Sequence, residues 1–270
     1  MRKKLLVLFG VLLLLAMIAV PAAAITNGEK DGDGHPNVGI MIADEEGEPA
    51  WRCSGTLIAP TVFLTAGHCV SGADGARVWF DTDLRNNDEY PYGGDTSIEG
   101  NPIPHPEYDW GLSDPHDVGV VILDEAVTGI DFGVLPAEGL LDKLKKSVPL
   151  RSGGGETFTM VGYGQLAEWP PPVLTSELVR RVAESEYVAL TPTNLHLSQH
   201  LSENSRWDTD DGGTCFGDSG GPAFWIDDGN EVLVAVTSTG DAQCVATGLY
   251  YRVDTPSSLN WINDFLDSSE

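Results

Sequence analysis

The sequence predicts an all-β protein, and three observations carry that expectation. The 270 residues include 31 glycines and 17 prolines, many set beside short apolar runs, which is the turn punctuation of a strand-rich chain. Past the N-terminal segment the apolar runs are short, the length of strands rather than of helices. A clear helical period occurs near the C-terminus, where Leu259, Ile262 and Leu266 recur on one face after Pro256.

Taken in order, Val38–Ala43, Thr56–Ile58, Val62–Thr65, Arg77–Phe80 and Val118–Leu123 read as strands of a first half. Thr157–Gly162, Leu178–Ala189, Pro222–Trp225, Val232–Ser238 and Gly248–Val253 read as strands of a second. Between the halves lies a linker over residues 136–155, with the basic run Lys143–Lys146, Gly153-Gly154-Gly155 and one helical turn around Leu140–Leu144. The domain reading is therefore 25–135, 136–155, 156–255 and a terminal helix with its tail over 256–270.

The first 24 residues read as a secretory signal. Arg2, Lys3 and Lys4 precede an uncharged run, Leu5–Val20, and then Pro21 and Ala22-Ala23-Ala24, an A-x-A cleavage site. The run is short for a membrane span. Secretion to the extracellular space follows, with no membrane association after the signal is removed. Fifteen Lys+Arg stand against 41 Asp+Glu, a net charge of −26, and loss of Arg2, Lys3 and Lys4 takes the mature chain to −29. With 41% apolar residues the acidity does not imply disorder, but it repels nucleic acid and anionic membrane.

Export opens an oxidising compartment, where four cysteines become disulfides. Three pairings are possible, and the local one, Cys53 with Cys69 and Cys215 with Cys244, is the simplest. A metal site is the weaker reading, since no C-x-x-C pair exists.

Three segments carry chemistry. Gly217-Asp218-Ser219-Gly220-Gly221-Pro222, with Cys215 four residues before the serine, surrounds a nucleophile with glycines that let N–H groups turn to one point. His68, in Thr65-Ala66-Gly67-His68-Cys69, follows an apolar run and precedes a cysteine, which fixes it on a rigid element as the base. His35, His105, His116, His196 and His200 lack that setting and read as surface residues. Asp117 stands at the mouth of Val118–Leu123, where a carboxylate needs a cation or donor, and reads as the group that orients the imidazole. Asp114, three residues further from the apolar run, is the nearest rival.

These segments, T-A-G-H-C, H-D-V-G-V-V-I-L and C-F-G-D-S-G-G-P, resemble the His, Asp and Ser segments of the chymotrypsin/trypsin-like serine peptidases, in that family's chain order. Gly162-Tyr163-Gly164 resembles its G-W-G turn and Asn260-Trp261-Ile262 its terminal helix. The resemblance spans about residues 25–267. It implies two six-stranded antiparallel β-barrels with an active site in the cleft between them, and it agrees with the local disulfide pairs. It implies a monomeric endopeptidase acting on polypeptides through His68, Asp117 and Ser219, with the N–H groups of Gly217 and Ser219 as the oxyanion hole. Ile25, freed by signal cleavage, would place its α-amine beside Asp218. Gly213, Thr214, Ser238, Gly240 and Gly248 would form the substrate pocket. With Gly213 at its floor that pocket is expected to be open, uncharged and suited to large apolar P1 residues, with Asp241 on its rim. Ser238 is followed by Thr239 where the family commonly has Trp, and A-G-H-C replaces A-A-H-C. No cofactor is required; a calcium loop over Asp81, Asp83, Asp88 and Glu89 is a possibility without a matching spacing. A non-catalytic binding protein on the same fold and an esterase are the competing classes. The intact Ser, His and Asp set argues against the first and the family resemblance against the second.

Overall fold

Short apolar runs, several of them buried along most of their length, form strands that pair with their antiparallel neighbours. The computed structural model describes residues 25–144, 155–168, 173–199 and 211–266. The expected signal segment, part of the expected linker and His200 lie outside these. Among the described residues, no helix is long and apolar enough to cross a membrane.

The first barrel is closed by β2 (Val38–Glu45), β3 (Glu48–Ala59), β4 (Val62–Thr65), β5 (Gly75–Trp79), β6 (Ser97–Pro104) and β7 (Gly119–Leu123), in the order β2-β3-β4-β7-β6-β5 with β5 returning to β2. Strand β6 escaped the sequence reading because Gly100, Pro102 and Pro104 look like turn residues. It nevertheless pairs with both β5 and β7 and closes the barrel. Met41, Leu57, Phe63, Val78 and Val121 fill the interior.

The second barrel uses β8 (Thr157–Gly162), β11 (Arg181–Leu190), β12 (Asn194–Ser198), β13 (Pro222–Asp227), β14 (Asn230–Gly240) and β15 (Thr247–Arg252). The β8–β11 pairing closes it, and β9 (Gln165–Glu168) and β10 (Val173–Ser176) form a separate hairpin. Both barrels are six-stranded and antiparallel. Strand β11 starts at Arg181 rather than Leu178, because residues 178–180 are tied to the first barrel. There Leu178 O accepts from Leu84 N–H at 2.9 Å and Asp83 bridges Val179.

Strand β1 (Glu29–Lys30) pairs with β11 and Thr26 bridges Gly213, so the start of the described chain lies on the second barrel rather than the first. Leu140, Leu141 and Leu144, read as linker, are buried in the second barrel's core, where the turn Leu140–Lys143 is held by Asp254 through Leu141 N–H at 2.8 Å.

The barrels share a core. Val38, Leu64 and Val118 pack with Val161, Phe224, Val236 and Ile262, the last from the terminal helix Pro256–Leu266. Arg180 is the polar clasp across this seam. It is almost wholly buried, and it donates to Asp31 at 2.7 Å, Gly32 O at 2.8 Å and Phe80 O at 3.1 Å. A buried guanidinium is tolerated only when so fully paired.

Candidate active site

His68 sits on a single helical turn, α1 (Gly67–Val70), directly after β4. The disulfide Cys53–Cys69 ties that turn to β3, and Cys215–Cys244 braces the serine loop against the turn after β14, so both expected pairs form. Gly67 is glycine for a packing reason: a Cβ there would meet Tyr108 at 2.7 Å.

Asp117, fully buried before β7, holds His68 from two directions. Its carboxylate accepts the His68 backbone N–H at 2.8 Å and faces Nδ1 at 3.0 and 3.1 Å. Ser238 Oγ, from β14 of the other barrel, donates to the same carboxylate at 2.6 Å. These donors answer the desolvation of a buried anion. Nδ1 facing Asp117 leaves Nε2 as the ring nitrogen free to exchange a proton with a nucleophile. Trp110 stands edge-on to the imidazole at 5.6 Å. Asp114, the rival carboxylate, is instead bonded by Tyr251 Oη at 2.8 Å.

Ser219 is brought to the first barrel by its neighbours. Ser54, adjacent to disulfide-bonded Cys53, donates its N–H to Ser219 O at 2.8 Å and its Oγ to Gly217 O at 2.9 Å. Gly220 has φ +78°, and a Cβ there would lie 2.8 Å from Ala66 N, two residues before His68. Only glycine permits that conformation and that approach. The Cys53-Ser54 dipeptide therefore anchors the histidine turn on one side and the serine loop on the other. Gly217, at φ +98°, adopts a backbone conformation that a side chain would strain, and a Cβ there would also push the Arg52 guanidinium aside.

Asp218 points inward. Its oxygens accept Gly164 N–H at 2.7 Å and Cys215 N–H at 2.9 Å. Complete burial pushes its carboxyl up to about 6 despite these donors and the nearby Arg52. Ile25 is also fully buried.

Beside Ser219 opens a cavity of about 120 Å³, lined by Thr214, Phe216, Ser238, Thr239, Gly240 and Asp241, among others. The sequence places Gly213 and Gly248 in an open pocket, and here the structure corrects it. Neither lines this cavity: a Cβ at either would meet the side chain of Gln199, and at Gly248 that of Tyr250 as well. Asp241 is engaged by its own loop: it accepts N–H groups from Gln243 (3.2 Å), Val245 (3.2 Å), Ala246 (2.8 Å) and Thr247 (3.1 Å). Burial raises its carboxyl, but these donors outweigh burial and hold it below the usual carboxylate value.

Among the described residues, His35, His105, His116 and His196 are less exposed than expected. His105 is buried, stacked on His116 at 4.8 Å and edge-on to Trp261 at 5.1 Å. His35 is enclosed by Asp31 and Glu231. Two groups of potential metal ligands converge among the described residues. In the first, Cys53 and Cys69 are spent in a disulfide. In the second, His105 and His116 lie nearly parallel at 10°, so one ion cannot sit in the plane of both rings. The acidic residues 81–89 form no third group, and Asp83 is taken by Arg85 Nε at 2.8 Å.

The chain is similar to known proteins in sequence and in fold. A sequence model of the family described as Trypsin matches residues 25–262. The chain is 29% identical to Serine protease 1 of Drosophila melanogaster over 248 residues, 89% of this chain and 84% of that protein. It is 26% identical to Chymotrypsin of Phaedon cochleariae over 257 residues, 90% of this chain and 82% of that protein. The solved structure of HL collagenase superposes with a TM-score of 0.66 at 19% identity, covering 90% of this chain and 99% of that one, a likeness of fold.

Proposed function

The chain belongs to the chymotrypsin/trypsin-like family and is a serine endopeptidase acting on polypeptides, and from that premise we propose that His68, Asp117 and Ser219 carry its catalysis through an acyl-enzyme. The observation behind the proposal is the shared anchorage of His68 and Ser219 on Cys53-Ser54, with Asp117 clamped between His68 and Ser238.

Ser219 Oγ attacks the scissile carbonyl while His68 takes its proton, and Asp117 stabilises the imidazolium. The oxyanion is met by the N–H groups of Gly217 and Ser219. His68 then protonates the departing amine, leaving Ser219 acylated, and the same base activates the water that releases the acid. The pocket beside Ser219 has no charged floor among the described residues, and the Asp241 carboxylate is occupied by backbone donors. Apolar P1 residues are therefore favoured over Arg and Lys, whose buried charge would find no partner. Residues 1–24 act as a secretory signal, the disulfides form on export, and the enzyme works extracellularly as a monomer.

The test is fluorophosphonate labelling with parallel casein hydrolysis. Native protein should be labelled and active. Ser219→Ala should lose the label, and it and His68→Ala should each lose 10⁴-fold or more in kcat, on the order of what loss of a triad member removes. Labelling that persists in Ser219→Ala would refute the assignment.

A further inference from the structure

Behind Gly240, in the wall of the pocket beside Ser219, stands a residue outside the three motif segments. Gly213, Gly240 and Gly248 carry no side chains, and by themselves would leave a deep opening. The side chain of Gln199, which follows β12, stands where Cβ atoms at these three positions would project. A Cβ at Gly213 would lie 2.6 Å from both Cδ and Nε2 of Gln199, and one at Gly248 would lie 2.8 Å from the same Nε2. Gln199 is fully buried.

Hydrogen bonds lock it there. Nε2 donates to the Thr214 carbonyl at 3.0 Å and to the Thr214 hydroxyl at 3.1 Å, and Tyr250 Oη lies at 3.5 Å. A backbone carbonyl can only accept, so this contact decides which end of the amide faces Thr214. Oε1 is turned the other way. It is buried without a partner among the described residues, 3.8 Å from the Cβ position of pocket-lining Gly240.

We propose that Gln199 forms the floor of the P1 pocket and is a specificity-determining residue, restricting P1 to short apolar side chains of Ala, Val or Leu size against Phe, Tyr and Trp. The inference rests on Ser219 being the nucleophile, since that places P1 in this cavity. Size and polarity act together. The cavity of about 120 Å³ is smaller than the ~150 Å³ that accepts a benzene ring. A ring long enough to reach the floor would also press against a desolvated amide oxygen that it cannot bond. Arg and Lys gain little from an oxygen that carries no formal charge.

The experiment measures kcat/KM on peptides differing only at P1 (Ala, Val, Leu, Phe, Arg), normalised to the fluorophosphonate titre. In parallel, indole binding is measured on Ser219→Ala protein with and without Gln199→Ala. Leu should exceed Phe at least tenfold in the native enzyme. Gln199→Ala should invert that ratio, and Gln199→Met, of similar volume, should keep it. Indole should bind only when Gln199 is truncated. Phe equal to or better than Leu in the native enzyme would overturn the proposal without any variant, as would an unmoved ratio in Gln199→Ala. A protein with no titratable serine whose indole binding still follows Gln199 would overturn the catalytic reading and uphold the closed floor.

Discussion

Extending the chain by one residue beyond Ile25 should strongly impair the enzyme, and the size of the effect can be worked from Asp218. That carboxylate is wholly buried, and burial raises it from an ordinary 3.8 to about 6 even with Gly164 and Cys215 donating to it. A rise of roughly two units corresponds to about 3 kcal/mol for holding the ionised form in place at pH 8. The family resemblance implies a free ammonium at Ile25 beside Asp218, which would offset that penalty, and Ile25 is itself fully buried. Retaining Ala24 or acetylating Ile25 removes the ammonium. It should therefore shift the ordered serine loop against its disordered forms by on the order of 10²-fold. The sign follows from the raised value. In the extended chain, Asp218 supports the folded loop below the ordinary carboxylate range, and that support is lost as pH rises through about 6. The deficit should thus be greatest above pH 6 and shrink below it. The assay is kcat/KM for the Ile25-started and Ala24-extended proteins from pH 5 to 9, with N-terminal sequencing of the secreted enzyme. Equal activity of the two forms at pH 8, or a fully active secreted enzyme starting elsewhere than Ile25, would refute the reasoning.

Three further outcomes are expected. Ser238→Ala removes the 2.6 Å donor to Asp117. Loss of a hydrogen bond to a charged group, about 1.5–3 kcal/mol, should lower kcat/KM by roughly 10–100-fold at an unchanged fluorophosphonate titre, and a loss under twofold would count against this positioning role. His35 is pushed by Asp31 and Glu231 up to about 9 despite its burial, so its contribution to stability is complete below 6.5 and lost as pH rises through about 9; urea unfolding across that window should show the decline in native protein and not in His35→Gln. At a net charge of −29 without its first 24 residues, the chain should melt higher in molar salt than in dilute buffer, which a melting series in sodium chloride checks directly.

Much of this protein was legible in the order of its residues, because the signals are local. Val62–Thr65 and Thr157–Gly162 appear as strands with the boundaries expected, since apolar runs between turn residues leave little choice of period or length. The family, the disulfide pairs and the candidate triad follow from short motifs in which neighbouring residues do the chemistry together. Strand β6 was hidden because its prolines and glycine speak locally for a turn, and only pairing with β5 and β7 makes it a strand. Tertiary structure alone decided what lies between segments far apart in sequence. It set Ser238 against Asp117 across 121 residues and Ser54 against the serine loop across 163. It also drew Gln199 into the space left by Gly213 and Gly248. A glycine in a sequence says only that no side chain starts there; which neighbour fills the vacancy is settled by the close packing of the folded chain.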